Sequence, residues 1–494
     1  MSRISKSHLL SLVLGFAAAA EANGQARQAR SFPFVESAGI LVPQANAIEE
    51  LRGVFAVAMG PVTLPDGQSV RLDLRAVDLA RLGFGVSVDG VAAPELVGEL
   101  GALLWSGKVE GDQSSSVFLA FSRFGSRGWI ERAGDTFHLL AEPGARGDWS
   151  RSSSRWWTGS QPGQLGLDLG PSCRANDLPR VSPPRSRPSG AAAAASTTLV
   201  CKVAVEGDYQ LFTRFNDALA ELSYVTSLLG AVSMRYEEQL DVVLTYPYLN
   251  LWTVSNDPWM SQDDGLDAYW VLKEFQFAWA GNIPGGGNLA HMLSGADLGG
   301  GIAYLDVICD PNYGFGVSGN LTLFGLTPFP VSQGPLNWDF FVVAHELGHN
   351  FSAIHTHEEC PPLDECPPLG YFGPCQTAQV CTNQGTLMSY CHLCSGWLSN
   401  VTTFFHGAQL AGMRAAAESA CLGPCLGSVV YVDCGYTGPE DGSFAQPFNT
   451  VEEGIAGVCG GGDVVLKPGT CATAPIRLAL PVTLATSGGN ATIQ

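Results

Sequence analysis

Four histidines within thirteen residues constrain the fold of this chain more than any other feature of its sequence. The segment VVAHELGHNFSAIHTHE, residues 342–358, contains all four of them beside Glu346. Positions i and i+4 of an α-helix lie on one face, so His345 and His349 can share a metal ion. Glu346 lies one step further round the helix, where its carboxylate can act on a water molecule without binding the metal. The segment therefore predicts a helix that carries a metal site.

A third histidine ligand requires this helix to end soon after His349. On a straight helix His355 would lie about 9 Å further along the axis, at a rise of about 1.5 Å per residue. A bond from zinc to nitrogen is only about 2.0–2.1 Å long. The chain must therefore turn back through a residue in the left-handed conformation, which is usually glycine. Ser352 occupies that position.

The strain expected at Ser352 is small compared with the energy of metal binding. A residue with a side chain costs roughly 1–2 kcal/mol in the left-handed conformation, whereas structural zinc binds small peptides with apparent energies of about 10–16 kcal/mol. We therefore predict that Ser352 makes the turn and that His355 is the third ligand. His357 is the alternative ligand; otherwise it would face solvent or a side chain next to the site.

The segment HELGHNFSAIH resembles HExxHxxGxxH, the zinc signature of the metzincin endopeptidases, with Ser352 in place of the usual glycine. Metzincins also have a tight turn that carries a methionine beneath the zinc site, and GTLMSYCH resembles this turn at Met388. The resemblance covers residues 198–425 and is greatest for the reprolysin or adamalysin branch of the family.

The resemblance implies a function and a set of site residues. It implies a zinc-dependent endopeptidase that binds Zn²⁺ and hydrolyses peptide bonds in protein or peptide substrates. The matching positions are His345, His349 and His355 for the zinc ligands and Glu346 for the general base. Tyr390 follows Met388 by two residues, as does a tyrosine that reaches the metal in the astacin branch. Reprolysin-like proteins generally lack that ligand, so both assignments of Tyr390 stay open.

The resemblance also implies how a substrate would lie. The strand GIAYLDV, which begins at Gly301, resembles the edge strand along which metzincins align an extended peptide. Residues 389–396 would then flank the pocket for the substrate side chain that follows the scissile bond.

Two other readings compete with this one. GFGVSG, residues 314–319, matches the dinucleotide-binding pattern GxGxxG, but the two prolines after it predict a glycine-rich loop without a following helix. A thermolysin-like site would instead take a carboxylate as its third ligand, from Glu358, Glu359 or Glu365. His355 together with Met388 favours the metzincin arrangement.

Composition divides the chain at VSPPRSRPSGAAAAASTT, residues 181–198, which lacks hydrophobic periodicity and is typical of a linker. Before it, apolar and polar residues alternate between turns, so residues 27–197 are predicted to be mostly β. In its position this region resembles the propeptides of the metzincin family, which implies a propeptide that ends in this linker. An independent binding domain is the alternative. After it, a buried strand and a long amphipathic helix over residues 209–239 open an α+β domain. The expected fold of residues 198–427 is an α/β-type metzincin domain with a mixed twisted sheet and long helices.

Residues 428–494 differ again and resemble the opening of right-handed parallel β-helices in secreted proteins. They supply two rungs at most, whereas repeat solenoids need about three. The chain is therefore either a fragment of a longer protein or has strands that dock on the catalytic domain. Such a segment would suggest attachment to a cell surface or glycan, and the alternative function is a surface-binding protein with a vestigial protease. The presence of Glu346 favours the enzyme.

The N-terminus and the charge indicate where the protein works. Residues 1–26 contain basic residues, then an apolar run and small residues, which predicts a signal peptide and a secreted protein. No other segment is apolar enough to span a bilayer. The formal charge of −20 and the absence of a basic run argue against a nucleic-acid partner.

Fourteen cysteines predict disulfides formed in an oxidising compartment. Ten of them lie in residues 201–425 and are expected to pair among themselves, which would leave Cys173 unpaired. A thiolate binds zinc at about 2.3 Å, so Cys173 could hold a zymogen inactive until a protease cuts the linker. The alternative is a disulfide from Cys173 to Cys201 or to one of the three cysteines after residue 427.

Overall fold

The computed structural model describes residues 34–37, 40–43, 50–51, 54, 56–77, 79–122, 124–132, 135–142, 153–158, 178, 198–322, 338–424, 429–440, 442–458, 462–473 and 482–493. These residues form an N-terminal antiparallel sheet, a mixed α+β domain and a short segment of parallel strands.

The described residues before 159 contain eleven strands and two short helices. In chain order they are β1 (Phe34–Ser37), β2 (Ile40–Pro43), β3 (Ala56–Thr63), β4 (Ser69–Val77), α1 (Leu79–Leu82), β5 (Val86–Val88), β6 (Val91–Ala92), α2 (Glu95–Glu99), β7 (Leu103–Val109), β8 (Asp112–Ser122), β9 (Gly125–Arg132), β10 (Asp135–Glu142) and β11 (Ser153–Thr158). Nine of the strands form one antiparallel sheet in the order β1-β2-β11-β10-β9-β8-β7-β4-β3. The prediction of a β-rich N-terminal region is confirmed.

The α+β domain begins with a strand directly after the linker. Its elements are β12 (Leu199–Gly207), α3 (Tyr209–Phe212), α4 (Ala218–Leu240), β13 (Val242–Leu251), α5 (Met260–Asp263), α6 (Ala268–Trp279), β14 (Leu289–Leu293), β15 (Gly301–Ala303), β16 (Phe315–Ser318), α7 (Trp338–Asn350), α8 (Gly407–Ser419) and β17 (Gly423–Pro424). Short 3-10 helices lie at Pro284–Gly286, Thr356–Glu358, Cys391–Leu393 and Trp397–Asn400.

The sheet of this domain has the strand order β15-β16-β14-β12-β13-β5-β6, with β17 paired to β12. The strands from β16 to β5 run parallel, and β15 pairs antiparallel to β16 at one edge. The predicted mixed sheet is therefore confirmed. Strands β5 and β6 come from the N-terminal region and extend the opposite edge, which no sequence pattern had indicated.

Helix α4 is buried on all sides, so the prediction of an amphipathic helix is wrong. Every residue from Ala220 to Ser233 is buried. The helix packs against β13 on one side and against β7 and β8 of the N-terminal sheet on the other, and a helix enclosed in this way needs no polar face. It also begins later than predicted, because the side chain of Asp217 caps it by accepting hydrogen bonds from the amides of Leu219 and Ala220.

The predicted strand GIAYLDV, residues 301–307, is shorter than expected and ends at Ala303. The chain then leaves the sheet through Asp306, whose φ of 60° is left-handed. The amide of Asp306 donates to the carbonyl of His349 at 2.9 Å. This contact ties the end of the edge strand to helix α7.

The C-terminal segment contains β18 (Val429–Val432), α9 (Val451–Gly457), β19 (Asp463–Leu466), β20 (Gly469–Cys471), β21 (Thr483–Thr486) and β22 (Ala491–Ile493). Strands β18, β19 and β21 form one parallel sheet, and β20 and β22 form another. Successive strands of this segment thus pair in the same direction, and its assignment as a partial parallel β-helix remains a prediction. Among the described helices of the chain, none has both the length and the apolar character that a membrane crossing requires.

Five disulfides cross-link the described residues. They join Cys309 to Cys421, Cys360 to Cys375, Cys366 to Cys391, Cys381 to Cys394 and Cys434 to Cys471. The expectation that the ten cysteines of residues 201–425 pair among themselves is wrong, because Cys201 is a free thiol. It is fully buried in strand β12. Cys173 lies outside the described residues.

Candidate metal centre

Helix α7 places His345 and His349 side by side, one turn apart. Every residue of the helix is buried, and the two imidazole rings lie 4.8 Å apart between centroids. Their Nε2 atoms are separated by 3.2 Å. Two ring nitrogens at this separation can bind the same ion.

The predicted reversal of the chain is present at Ser352. Its φ is 76°, in the left-handed region, and its amide donates to the carbonyl of His349 at 2.9 Å. The next amide, of Ala353, donates to the carbonyl of Gly348 at 2.9 Å. These bonds end the helix directly after Asn350 and direct the chain back towards His349, as the sequence analysis requires.

Backbone carbonyls fix the orientation of the first two imidazoles. The Nδ1 atom of His345 donates to the carbonyl of Leu387 at 2.6 Å, and the Nδ1 atom of His349 donates to the carbonyl of Ala353 at 2.7 Å. With the proton held on Nδ1, the lone pair lies on Nε2. Histidine ligands of metals are commonly held in this way by the second ring nitrogen.

The turn at Ser352 brings His355 next to His345 and His349. Its ring centroid lies 5.3 Å from that of His345 and 4.7 Å from that of His349. One ligand atom from each of the three histidines lies within 4.8 Å of the others. The Nε2 atom of His355 is buried and has no hydrogen-bond partner among the described residues. An orphaned nitrogen beside two oriented ones fits a single bound metal ion.

A carboxylate holds His355 where carbonyls hold the other two histidines. The Nδ1 atom of His355 lies 3.3 Å from the Oε2 atom of Glu358. The same oxygen accepts a hydrogen bond from the backbone amide of His355 at 3.2 Å. Glu358 follows His355 by three residues, a spacing at which a side chain can reach back to its own turn.

Burial keeps the imidazoles of His345 and His349 neutral. Burial and the neighbouring His349 and His355 hold the pKa of His345 well below its usual range. Burial, together with His355, lowers the pKa of His349 to about 3. Neutral imidazole is the form that binds a metal, so both rings are ready to act as ligands at neutral pH.

Glu346 lies between the helix and the edge of the sheet. Its side chain is fully buried and packs against Gly301 of β15, where a methyl group on the glycine would collide with the carboxylate. The absence of a side chain at Gly301 therefore makes room for Glu346. The carboxylate lies one residue from His345 and next to the predicted substrate strand.

Met388 lies beneath the helix that carries the first two histidines. It is fully buried, and a Cβ atom added to Gly348 would lie 2.7 Å from its sulfur. Its carbonyl accepts a hydrogen bond from the amide of Thr356, next to His355, at 3.0 Å. The turn around Met388 thus contacts both parts of the histidine cluster.

Comparison with known proteins agrees with this geometry. Residues 197–405 match the model of the family described as Reprolysin_5, metallo-peptidase family M12. This segment is similar to metzincin-like zinc metallopeptidases, and the α+β domain that contains it is termed the metallopeptidase domain below. The solved structure of metalloproteinase-II from Bacteroides fragilis is similar at 11% sequence identity, over 75% of this chain and 95% of that one, with a TM-score of 0.38. No curated protein matches the chain.

Two further side chains of the metallopeptidase domain lie against His355. The ring of Tyr390 is 4.6 Å from that of His355 and 4.9 Å from that of His357. His357 is buried, and its ring stacks on His355 at 5.3 Å with an angle of 8° between the planes. Of the two placements predicted for His357, solvent or a neighbouring side chain, the second is therefore observed.

The dinucleotide-binding reading finds no corresponding geometry. Most of residues 314–319 form strand β16 inside the sheet, so the GxGxxG match is not a loop around a phosphate. Glu365 makes an isolated bridge with Val380 and does not belong to the group formed by the three histidines. Glu358 contacts His355 through Nδ1 and so acts on a histidine of the cluster.

Sequence reasoning missed the groups that orient the cluster. The carbonyls of Leu387 and Ala353 carry no signal in the residue type, because any residue offers a carbonyl. Glu358 had been considered only as a rival ligand, although its spacing of three residues from His355 was visible in the sequence.

Proposed function

We propose that this chain is a secreted zinc-dependent endopeptidase in which His345, His349 and His355 bind Zn²⁺ and Glu346 is the general base. One observation carries the proposal. Three buried imidazoles present ring nitrogens to a common point next to a buried carboxylate. The match to an M12 metallopeptidase model supports a zinc-dependent peptidase that acts on proteins or peptides.

The residues of the site divide the chemistry between them. Zinc bound by the three imidazoles would act as a Lewis acid that polarises the scissile carbonyl and lowers the pKa of water. Glu346 accepts a proton from the attacking water and delivers it to the amine that leaves as the C–N bond breaks. Met388 packs beneath helix α7, which carries His345 and His349. Glu358 holds His355 in its orientation.

The position of β15 favours cleavage within a chain. It is the last strand of its sheet in the described part of the domain, and Gly301 of this strand contacts Glu346. An extended peptide that pairs with such an edge is aligned through its backbone and can continue in both directions. Endopeptidase activity with modest sequence preference follows.

The test uses an internally quenched peptide with both ends blocked. We expect cleavage by the purified protein, loss of cleavage with a zinc chelator and recovery when Zn²⁺ is returned. Glu346→Ala should retain about one zinc per chain and lose at least about 100-fold in kcat/KM, since general-base catalysis contributes about 10²–10⁴-fold. Glu359→Ala is the matched control and should keep its activity. An active Glu346→Ala variant would refute the mechanism.

The alternative function is a surface-binding protein with a vestigial protease. A protein that binds zinc at these histidines but cleaves neither casein nor blocked peptides would favour it.

Secretion is tested separately, because an exported protein should begin directly after Ala22 or Ala26 when its N-terminus is sequenced.

A further inference from the structure

The described residues before 159, here termed the N-terminal module, share a sheet with the metallopeptidase domain. Strand β5 pairs in parallel with β13, with Val86 opposite Leu249 and Val88 opposite Leu251. The amide of Gly85 donates to the carbonyl of Tyr246 at 2.9 Å. Backbone pairing of this kind makes a strand part of the sheet that it joins.

The module also covers helix α4, whose residues from Ala220 to Ser233 are all buried. The hydroxyl of Ser223 donates to that of Ser122 of the module at 2.9 Å. A Cβ atom added to Gly230 would lie 2.5 Å from Leu104 of the module, so the helix is shaped for this contact. Without the module, an apolar helix face would be exposed, which soluble proteins rarely tolerate over a large area.

A buried ion pair crosses the same interface. The guanidinium of Arg235, in α4, is fully buried and lies 3.4 Å from the carboxylate of Glu131 of the module. The hydroxyl of Thr403 donates to Glu131 at 2.5 Å and accepts from Arg235 at 2.8 Å. Removing one partner from a buried pair is strongly unfavourable, because the remaining charge loses its compensation. Departure of the module would leave Arg235 with only the partly exposed Glu238 as a carboxylate partner in the described chain.

These contacts reach the histidine cluster through two short connections. The ring of Phe404 lies 3.7 Å from the guanidinium of Arg235, and its carbonyl accepts a hydrogen bond from Leu387 at 2.9 Å. The carbonyl of Leu387 in turn accepts a hydrogen bond from the Nδ1 atom of His345. On the neighbouring position of α4, the hydroxyl of Tyr236 donates to the carbonyl of Ala344 at 3.0 Å.

We propose that the N-terminal module is a permanent structural part of the peptidase and stays bound after the linker is cut. A propeptide that is released on activation would instead dissociate from the peptidase after this cut. The module extends the sheet at the edge opposite to β15, so its pairing there leaves the predicted substrate edge to the peptide. When the predicted linker, residues 181–198, is cut, the module remains in the enzyme as a separate polypeptide.

The test uses the full chain with Glu346→Ala, which prevents self-digestion, and with Cys173→Ser, which excludes a disulfide between the fragments. The recognition sequence of a site-specific viral protease replaces residues 188–194. After the cut, we expect both fragments to elute together in gel filtration at the mass of the intact chain. They should separate only in denaturant. Separation in native buffer would overturn the proposal. The measurement does not depend on catalysis, so its failure is distinct from failure of the proposed function.

A matched pair of variants tests the interface itself. Glu131→Ala removes the buried partner of Arg235, whereas Glu110→Ala removes an exposed carboxylate of the same module, 3.9 Å from Arg71. In the cut protein, we expect Glu131→Ala to lower the urea concentration at which the fragments separate, and Glu110→Ala to leave it unchanged. An equal response of the two variants would contradict the proposed interface. The cut protein without either substitution decides the question even if Glu131→Ala does not fold.

Discussion

Ser352 shows how a single residue can depart from a family pattern and still make the required turn. Its φ of 76° is the left-handed conformation that glycine usually supplies. The strain is roughly 1–2 kcal/mol, and the hydrogen bonds around the turn hold the chain in place. The position of His355 depends on this one backbone angle.

Replacement of this serine tests the strain. We predict that Ser352→Gly is neutral or stabilises the protein by about 1 kcal/mol, because relief of left-handed strain is partly offset by the greater freedom of glycine in the unfolded chain. Urea unfolding of the zinc-loaded protein measures the difference. A clear loss of stability or of zinc would reveal a separate role for the hydroxyl.

The choice between two neighbouring histidines is a second residue-scale prediction. We expect His355→Ala to lose both zinc and activity, because its orphaned Nε2 atom belongs to the histidine cluster. His357→Ala should keep about one zinc per chain, since its ring stacks on His355 from the side. Zinc content by elemental analysis and peptide cleavage would be measured for both. The reverse result would show that the ligand assignment is wrong.

At the scale of elements, the ends of the parallel strands hold buried carboxylates. Glu206, at the end of β12, is 2% exposed, and one of its oxygens accepts hydrogen bonds from the indoles of Trp252 and Trp259 at 2.5 and 3.2 Å. Burial raises its pKa from 4.5 to about 7 despite these bonds. The carboxyl group therefore binds a proton more tightly in the folded protein than in the unfolded chain.

The sign of the pH effect follows from this shift. A folded pKa above the unfolded one gives a stabilising contribution below pH 4.5 that is lost as the pH rises through about 7. Buried histidines act oppositely: burial lowers the pKa of His291 from 6.5 to about 3, which makes stability increase with pH over that range. A comparison with Glu206→Gln isolates the carboxylate from the histidines.

We predict that wild type loses stability relative to Glu206→Gln between pH 5 and 8. The difference between their free energies of unfolding should change by up to about 3 kcal/mol, at 1.36 kcal/mol per pKa unit. Urea titrations of both proteins at pH 5, 6, 7 and 8 give the measurement. A constant difference across this range would mean that Glu206 is not buried as described.

At the scale of the whole molecule, the N-terminal module and the peptidase domain form one core. Buried residues of both lie in a single hydrophobic cluster. Other buried residues of the N-terminal sheet form a second hydrophobic cluster. The C-terminal strands have a third, smaller core. The boundaries predicted at residues 197 and 427 remain predictions, since the shared core crosses the first of them.

The proposed zymogen is tested at this scale. We predict that Cys173 binds the zinc of the uncut precursor, so that alkylation of the native protein labels Cys173 only after chelation. Cys201 is the internal reference, because a buried thiol should react only after unfolding. Cys173→Ser should be active before any processing. An inactive variant, together with a Cys173 that resists alkylation after chelation, would indicate a disulfide instead.

The sequence by itself determined the parts of this protein that depend on local geometry. The spacing of the four histidines predicted a helix, a reversal at Ser352 and a cluster that includes His355, because helix geometry and left-handed turns are properties of a few adjacent residues. Alternation of apolar residues predicted the N-terminal strands for the same reason. The family resemblance supplied the turn at Met388.

Only the tertiary structure decided how the parts meet. Glu131 and Thr403 are 272 residues apart in the chain, and no periodicity connects them. The burial of α4 on all sides, the strand that β5 adds to the peptidase sheet and the free thiol of Cys201 likewise result from packing between distant segments. Such contacts depend on the complementarity of surfaces that exist only after each segment has folded, so no local pattern of residues records them.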